Sequence, residues 1–156
     1  MTSTAATTRL IGVSAFLLLP GWASYVHAQL SVGSTWLRTD GHVKGMTLSV
    51  AACCNGGLRL TWRIPAMGAQ PASTMTVDSP MNGTEVPVLV GGKPTGETMA
   101  ITRVGDRHYR AIVKMNGQPF GTSNGTISPD NKTMTVDSAF VGGGQTQKIT
   151  ETWVRQ

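Results

Sequence analysis

Two charged side chains stand where a pleated chain would turn them inward. Arg103 shares its side of the chain with Met99 and Ile101, and Glu151 shares its side with Ile149 and Trp153. Alternate residues of a strand face the same way, so each ion is expected among apolar neighbours. An ion in such a place is costly unless it is paired or hydrogen-bonded. Arg103 and Glu151 could therefore hold the head group of a small amphipathic ligand, with Trp62, Tyr109 and Trp153 as its aromatic wall. A plainer reading also fits: strand ends carry charges at a solvated rim, and aromatic rings fill cores because each buries a large area.

Other chemistry has less support. His42 and His108 are the only histidines after residue 28. An enzyme built on His108 with Asp106 or Glu97 would need those groups to converge in a cleft. Asp78 and Asp137 stand beside Ser79 and Ser138, but a nucleophile needs its base within hydrogen-bond reach. No His-Glu-x-x-His and no phosphate-cradling loop occurs. The expectation is a non-catalytic protein without a cofactor. Seven methionines follow residue 28, which with the histidines and cysteines raises a copper site. No short cluster of soft ligands forms, and methionine also fills irregular cores, so no metal is expected. Cys53 and Cys54 are neighbours. Adjacent Cα atoms lie about 3.8 Å apart, closer than the roughly 4.4–6.8 Å usual across a disulfide. Two free thiols, a vicinal disulfide and bridges to another molecule all remain open.

The first 28 residues read as an export leader. Arg9 is their only charge, Leu10–Leu19 is a short apolar stretch, and Val26-His27-Ala28 suits a signal peptidase. The stretch is about half the roughly 20 residues needed to cross a bilayer as a helix. Cleavage after Ala28 leaves residues 29–156, a single domain of 128 residues (156 − 28). Its expected place is the periplasm or the extracellular space. Losing Arg9 lowers the net charge from +5 to +4, spread along the chain. Nucleic-acid binding calls for a concentrated basic stripe, so no nucleic-acid partner is expected. No second long apolar run follows the leader, so no integral span is expected in the mature chain, which reads as a monomer.

The elements that would position these residues are strands. Thr-Met-Thr-Val-Asp-Ser occurs at Thr74–Ser79 and again at Thr133–Ser138, 59 residues later (133 − 74). Gly92-Lys93-Pro94-Thr95-Gly96 is echoed by Gly117-Gln118-Pro119-Phe120-Gly121 at a different offset, 25 (117 − 92). One duplicated domain would give a single offset; reuse of hairpin parts within one sheet explains two. Alternation predicts strands at Thr35–Thr39, Lys44–Ala52, Leu58–Pro65, Thr74–Ser79, Glu85–Val90, Glu97–Val104, Arg107–Met115, Pro119–Ser128, Lys132–Phe140 and Thr146–Arg155. Pro87 predicts an edge or a bulge within its strand. Turns fall at Asn55-Gly56-Gly57, Asn82-Gly83 and Asn116-Gly117. Sequential strands joined by short turns are adjacent and antiparallel. A meander this long leaves two edges or closes, and closure removes them. The expected fold is all-β, an antiparallel up-and-down meander closing into a barrel of about 8–10 strands, with a two-sheet sandwich as the alternative.

The ends of this domain resemble small exported bacterial β-barrels of the lipocalin-like type. Ser34-Thr35-Trp36-Leu37-Arg38 resembles their Gly-Thr-Trp opening, with Ser34 in place of the glycine. Gly83-Thr84-Glu85-Val86-Pro87-Val88, Ser128-Pro129-Asp130-Asn131-Lys132 and Glu151-Thr152-Trp153-Val154-Arg155 are similar to uncharacterised exported proteins of this kind. The resemblance implies a meander barrel with an apolar cavity and, by analogy, small-ligand binding. It also implies that Arg155 covers Trp36 through a cation–π contact. The combined expectation is an exported barrel that binds a small apolar or amphipathic molecule in its interior. The alternative is a structural or interaction protein of the cell envelope with a side-chain-filled barrel; an exposed apolar patch near Val86–Val90 would favour it.

Overall fold

The computed structural model describes residues 29–142 and 144–156. The expected leader lies outside them. Ten strands follow in order: β1 (Thr35–Arg38), β2 (Thr47–Cys53), β3 (Gly57–Ile64), β4 (Ser73–Ser79), β5 (Asn82–Val90), β6 (Lys93–Arg103), β7 (His108–Met115), β8 (Gln118–Ile127), β9 (Thr133–Gly142) and β10 (Gln145–Arg155). Each is antiparallel to the next, and β1 pairs with both β2 and β10, so the meander is a closed barrel. No helix among the described residues is long and apolar enough to cross a membrane.

Closure follows from strand chemistry and turn chemistry acting together. Leu58, Leu60, Trp62 and Ile64 alternate with Arg59, Thr61 and Arg63 along β3. Leu60 is buried and Arg59 and Arg63 are exposed. The same alternation puts threonine, serine and charged residues on the outside of most strands. At the β7–β8 turn, Asn116 (φ 50°) and Gly117 (φ 77°) both take the left-handed conformation that a two-residue hairpin needs. Cys53 ends β2, Cys54 opens the turn to β3, and the two are joined to each other by a disulfide. Gly57, just after them, admits no side chain: a Cβ there would run into the Ser79 carbonyl of β4.

Two turns differ from expectation. Asn82-Gly83 is not a turn but the start of β5, which also carries a register shift between Asn82 and Glu85. The chain reverses one step earlier, where Met81 (φ 61°) donates its N–H to the Ser79 hydroxyl at 3.0 Å. Pro87 lies within a second register shift, between Pro87 and Leu89. A residue without an N–H is tolerated at such an irregularity, although the strand is not at a free edge. The register of β4 with β5 is correspondingly short, spanning Met75↔Val90 and Thr76↔Leu89.

The core lies inside the barrel. Trp36, Val77, Val88, Ile127 and Trp153 are almost fully buried there. Trp36 is paired across the β1–β10 ladder with Arg155, whose guanidinium carbon lies 6.0 Å from the centroid of the indole. Contacts of this kind contribute about 0.5–2 kcal/mol and here brace the closing seam. At the same end of the barrel, the segment before β1 folds inward. Leu30 is buried, and its N–H donates to the Tyr109 hydroxyl at 2.9 Å.

Candidate functional site

The barrel interior is not filled. It holds a cavity of about 200 Å³, walled by leucine, methionine and valine side chains with Trp62, Tyr109, Phe140 and Trp153 among them. The space is traceable to β8. The ladder to β9 sets Gly121, Ser123, Gly125 and Ile127 opposite Phe140, Ser138, Val136 and Met134. Three of these four β8 residues are glycine or serine, so one wall has almost no side-chain bulk. A Cβ at Gly125 would make only ordinary contacts, 3.8 Å to Val136 and 3.9 Å to Tyr109. Gly121 differs, because the Phe140 ring lies against it and leaves no room for a Cβ. Phe140 in turn packs on Phe120, with ring centroids 5.6 Å apart. Glycine inside a strand commonly marks the place where something must approach the backbone closely; at Gly121 that is the Phe140 ring, whereas at Gly125 a Cβ would fit in ordinary contact with Val136 and Tyr109.

A second feature is an ion network at the end of β1. The Arg38 side chain is 6% exposed. Its Nε donates to Asp40 Oδ2 at 2.6 Å, and its Nη1 lies 2.9 Å from Glu151 Oε1. The other Glu151 oxygen accepts from Trp153 Nε1 at 3.0 Å. Asp40 further accepts the backbone N–H groups of His42 and Thr152, at 3.0 and 3.2 Å. The two carboxylates titrate in opposite directions. Burial pushes Asp40 up, but the Arg38 hydrogen bond and the two backbone N–H groups outweigh it and hold its pKa at about 2. Burial dominates at Glu151, and its pKa is raised despite Arg38. Burial is the larger effect at Glu151, fewer donors offset it there, and the nearby Asp40 charge raises it further.

The residues singled out from sequence are divided by the fold. Trp62, Tyr109, Glu151 and Trp153 all line the cavity. Arg103 has the inward parity expected of it but is not among the lining residues. It ends β6 at the rim, with its side chain 37% exposed. There it donates to the Gln29 side-chain oxygen at 3.2 Å and to the Gly105 carbonyl at 3.3 Å, and lies 3.8 Å from Asp106. It therefore fastens the segment that carries Leu30 rather than meeting Glu151. The partner of Glu151 is Arg38, which sequence reasoning passed over although it shares parity with Trp36 on β1. Ser123, Ser138 and Gly125 were also missed. Their signal was available as a strand whose inward positions carry almost no bulk.

Gly121-Thr122-Ser123-Asn124-Gly125 has the Gly-x-Ser-x-Gly spacing, a match that the expectation of no catalytic motif leaves out. In hydrolases of that pattern the serine sits on a sharp strand-to-helix turn beside a histidine. Ser123 instead lies within β8, and its hydroxyl is hydrogen-bonded to Ser138 at 2.7 Å. His108, on β7, meets Thr126 on the adjacent strand. Among the described residues, no group of three or more histidine, cysteine or acidic side chains is placed to hold a metal ion. No protein-family model matches the chain, and no curated protein and no solved structure matches it either.

Proposed function

We propose that this protein is an exported, non-catalytic barrel of the lipocalin-like kind, which binds one small apolar or amphipathic molecule in its interior. The observation that carries the reading is the unfilled wall of β8 facing an otherwise apolar cavity. A barrel of this size can be packed solid by its own side chains. Gly125 contributes no side chain to that wall, and a valine there would project into the space. Apolar walls with few polar groups are the usual composition of a small-molecule site. Export is supported by residues 1–28, which read as a cleavable leader. The absence of catalysis is supported by the placement of Ser123 in a flat strand with a serine, not a histidine, as its partner. The envelope-protein alternative draws little from Val86–Val90. Val88 is fully buried, Val86 and Leu89 are half-buried, and only Pro87 and Val90 of this stretch are exposed.

Native mass spectrometry with a panel of hydrophobic probes tests the reading. A one-to-one complex with the natural sequence, lost in Gly125→Val, is the expected result. No retained probe with any member of the panel would remove the proposal. N-terminal sequencing of the exported protein should begin at Gln29.

A further inference from the structure

Ser123 and Ser138 form a cross-strand pair within the cavity wall, with their oxygens 2.7 Å apart. Two hydroxyls carry two protons, and a single mutual hydrogen bond uses one of them. Among the described residues neither hydroxyl makes a further hydrogen bond, so the second O–H has no acceptor there. Ser138 is 7% exposed, so bulk water does not readily satisfy it. A buried donor without a partner costs roughly 1–3 kcal/mol. Either serine can carry the spare proton, and its acceptor comes from what occupies the cavity, water or a ligand.

The charges around the cavity restrict that occupant further. A carboxylate ligand would need a free cation, and neither arginine supplies one. Arg38 is engaged by Asp40 and Glu151, and Arg103 lies at the rim with Gln29 and Asp106. Glu151 itself faces the cavity and opposes an anion. A ligand amine would have to share Glu151 with Arg38 and Trp153, which already occupy one acceptor site on each oxygen and partly neutralise its charge. The size of the space is also limiting. An apolar cavity of about 150 Å³ holds benzene, so about 200 Å³ takes a molecule of roughly eight or nine non-hydrogen atoms by that scale.

We infer that the ligand is a small neutral molecule, apolar over most of its surface, carrying one hydrogen-bond-accepting oxygen that the Ser123–Ser138 pair receives. This rests on the interior-binding reading above and specifies its chemistry. The pair offers one proton, so one carbonyl, ether or alcohol oxygen is matched and a second polar group is not.

Three probes of nearly equal size test the inference on the purified full-length protein: ethylbenzene without an acceptor, acetophenone with one, and benzoate with a charge. Binding is read by quenching of tryptophan fluorescence, since Trp62 and Trp153 line the cavity, and by calorimetry. The double variant Ser123→Ala/Ser138→Ala removes both partners with little change of shape, which is nearly neutral for folding; thermal unfolding checks this. The ratio of ethylbenzene to acetophenone dissociation constants should fall about three- to tenfold in the double variant, the worth of one neutral hydrogen bond. Ethylbenzene itself should bind both proteins alike, and benzoate neither. In the natural sequence the acetophenone carbonyl stretch should shift to lower frequency on binding, and in the double variant it should not. An unchanged ratio, an unshifted carbonyl or tight benzoate binding would overturn the inference while leaving interior binding intact. Failure of all three probes to bind would overturn both.

Discussion

In β4 the sequence Thr-Met-Thr-Val-Asp-Ser ends a strand; in β9 it begins one. Both copies turn methionine, valine and serine toward the barrel interior and the threonines and aspartate outward. Beyond that shared facing they diverge. Val77 is fully buried against neighbours, whereas Val136 is half-buried beside the cavity. Asp78 pairs with Arg59 through two hydrogen bonds of 2.7 Å, whereas Asp137 accepts from the Thr150 hydroxyl at 2.6 Å. Ser79 closes the turn to Met81, and Ser138 meets Ser123. Local alternation decides which way a side chain faces. The neighbouring strand, and the distance to the strand end, decide what it does there.

The comparison can be scaled against a site outside both copies. Arg38→Met leaves Asp40 and Glu151 facing each other without a cation. It should lower stability by about 3–5 kcal/mol, as breaking a buried pair does, measured by urea denaturation; a loss below about 1 kcal/mol would mean that water already screens the network. Within the copies, Val77→Ala should lower stability by about 2–3 kcal/mol and Val136→Ala by about 1 kcal/mol or less, because only the first opens a new void. Equal losses would show that the two valines are packed alike and that the space beside Val136 is closed in solution.

Acid titration gives an effect of about 2 kcal/mol. Asp40 has a folded pKa of about 2 against an ordinary 3.8, so its contribution is full above the higher value and is lost as pH falls toward the lower. Glu151 has the opposite sign. Its raised pKa means that ionisation weakens the fold as pH rises above the ordinary glutamate range. Asp40→Asn should remove the acid-side loss, seen as a flatter dependence of the unfolding midpoint between pH 4 and 2. The serines come next: Ser79→Ala should cost about 1 kcal/mol and leave probe binding alone, while Ser123→Ala/Ser138→Ala should cost less and weaken acetophenone binding. The smallest effect belongs to the aspartates. The Asp78–Arg59 pair is exposed, so Asp78→Asn should differ from Asp137→Asn only at low salt.

The strands and their closure were legible because alternation and turn residues agree along nearly the whole chain. The bulge at Pro87 was legible for the same kind of reason, a missing donor. The Asn82-Gly83 turn was misplaced because the Ser79 hydroxyl reverses the chain first, and a side-chain acceptor two residues away leaves little trace in composition. Four of the five proposed site residues line the cavity, since aromatic and acidic residues on inward parity are conspicuous. Arg103 misled because parity says which side, not how far along the axis, and its strand ends at the rim. Arg38 lies on a four-residue strand and looks like a terminal charge, yet the loop after β1 covers it. The β8 wall was hardest to see. Small residues signal by what they lack, and only pairing with β9 shows that nothing else fills the gap.

The two-position register between β4 and β5 has a mechanical consequence. A hoop made of staves gives way at its least riveted joint, so amide hydrogens flanking that joint should exchange with deuterium before those of the long β9–β10 ladder. Such breathing would widen the wall sideways, and a guest could pass between staves while the Leu30 stopper stays seated.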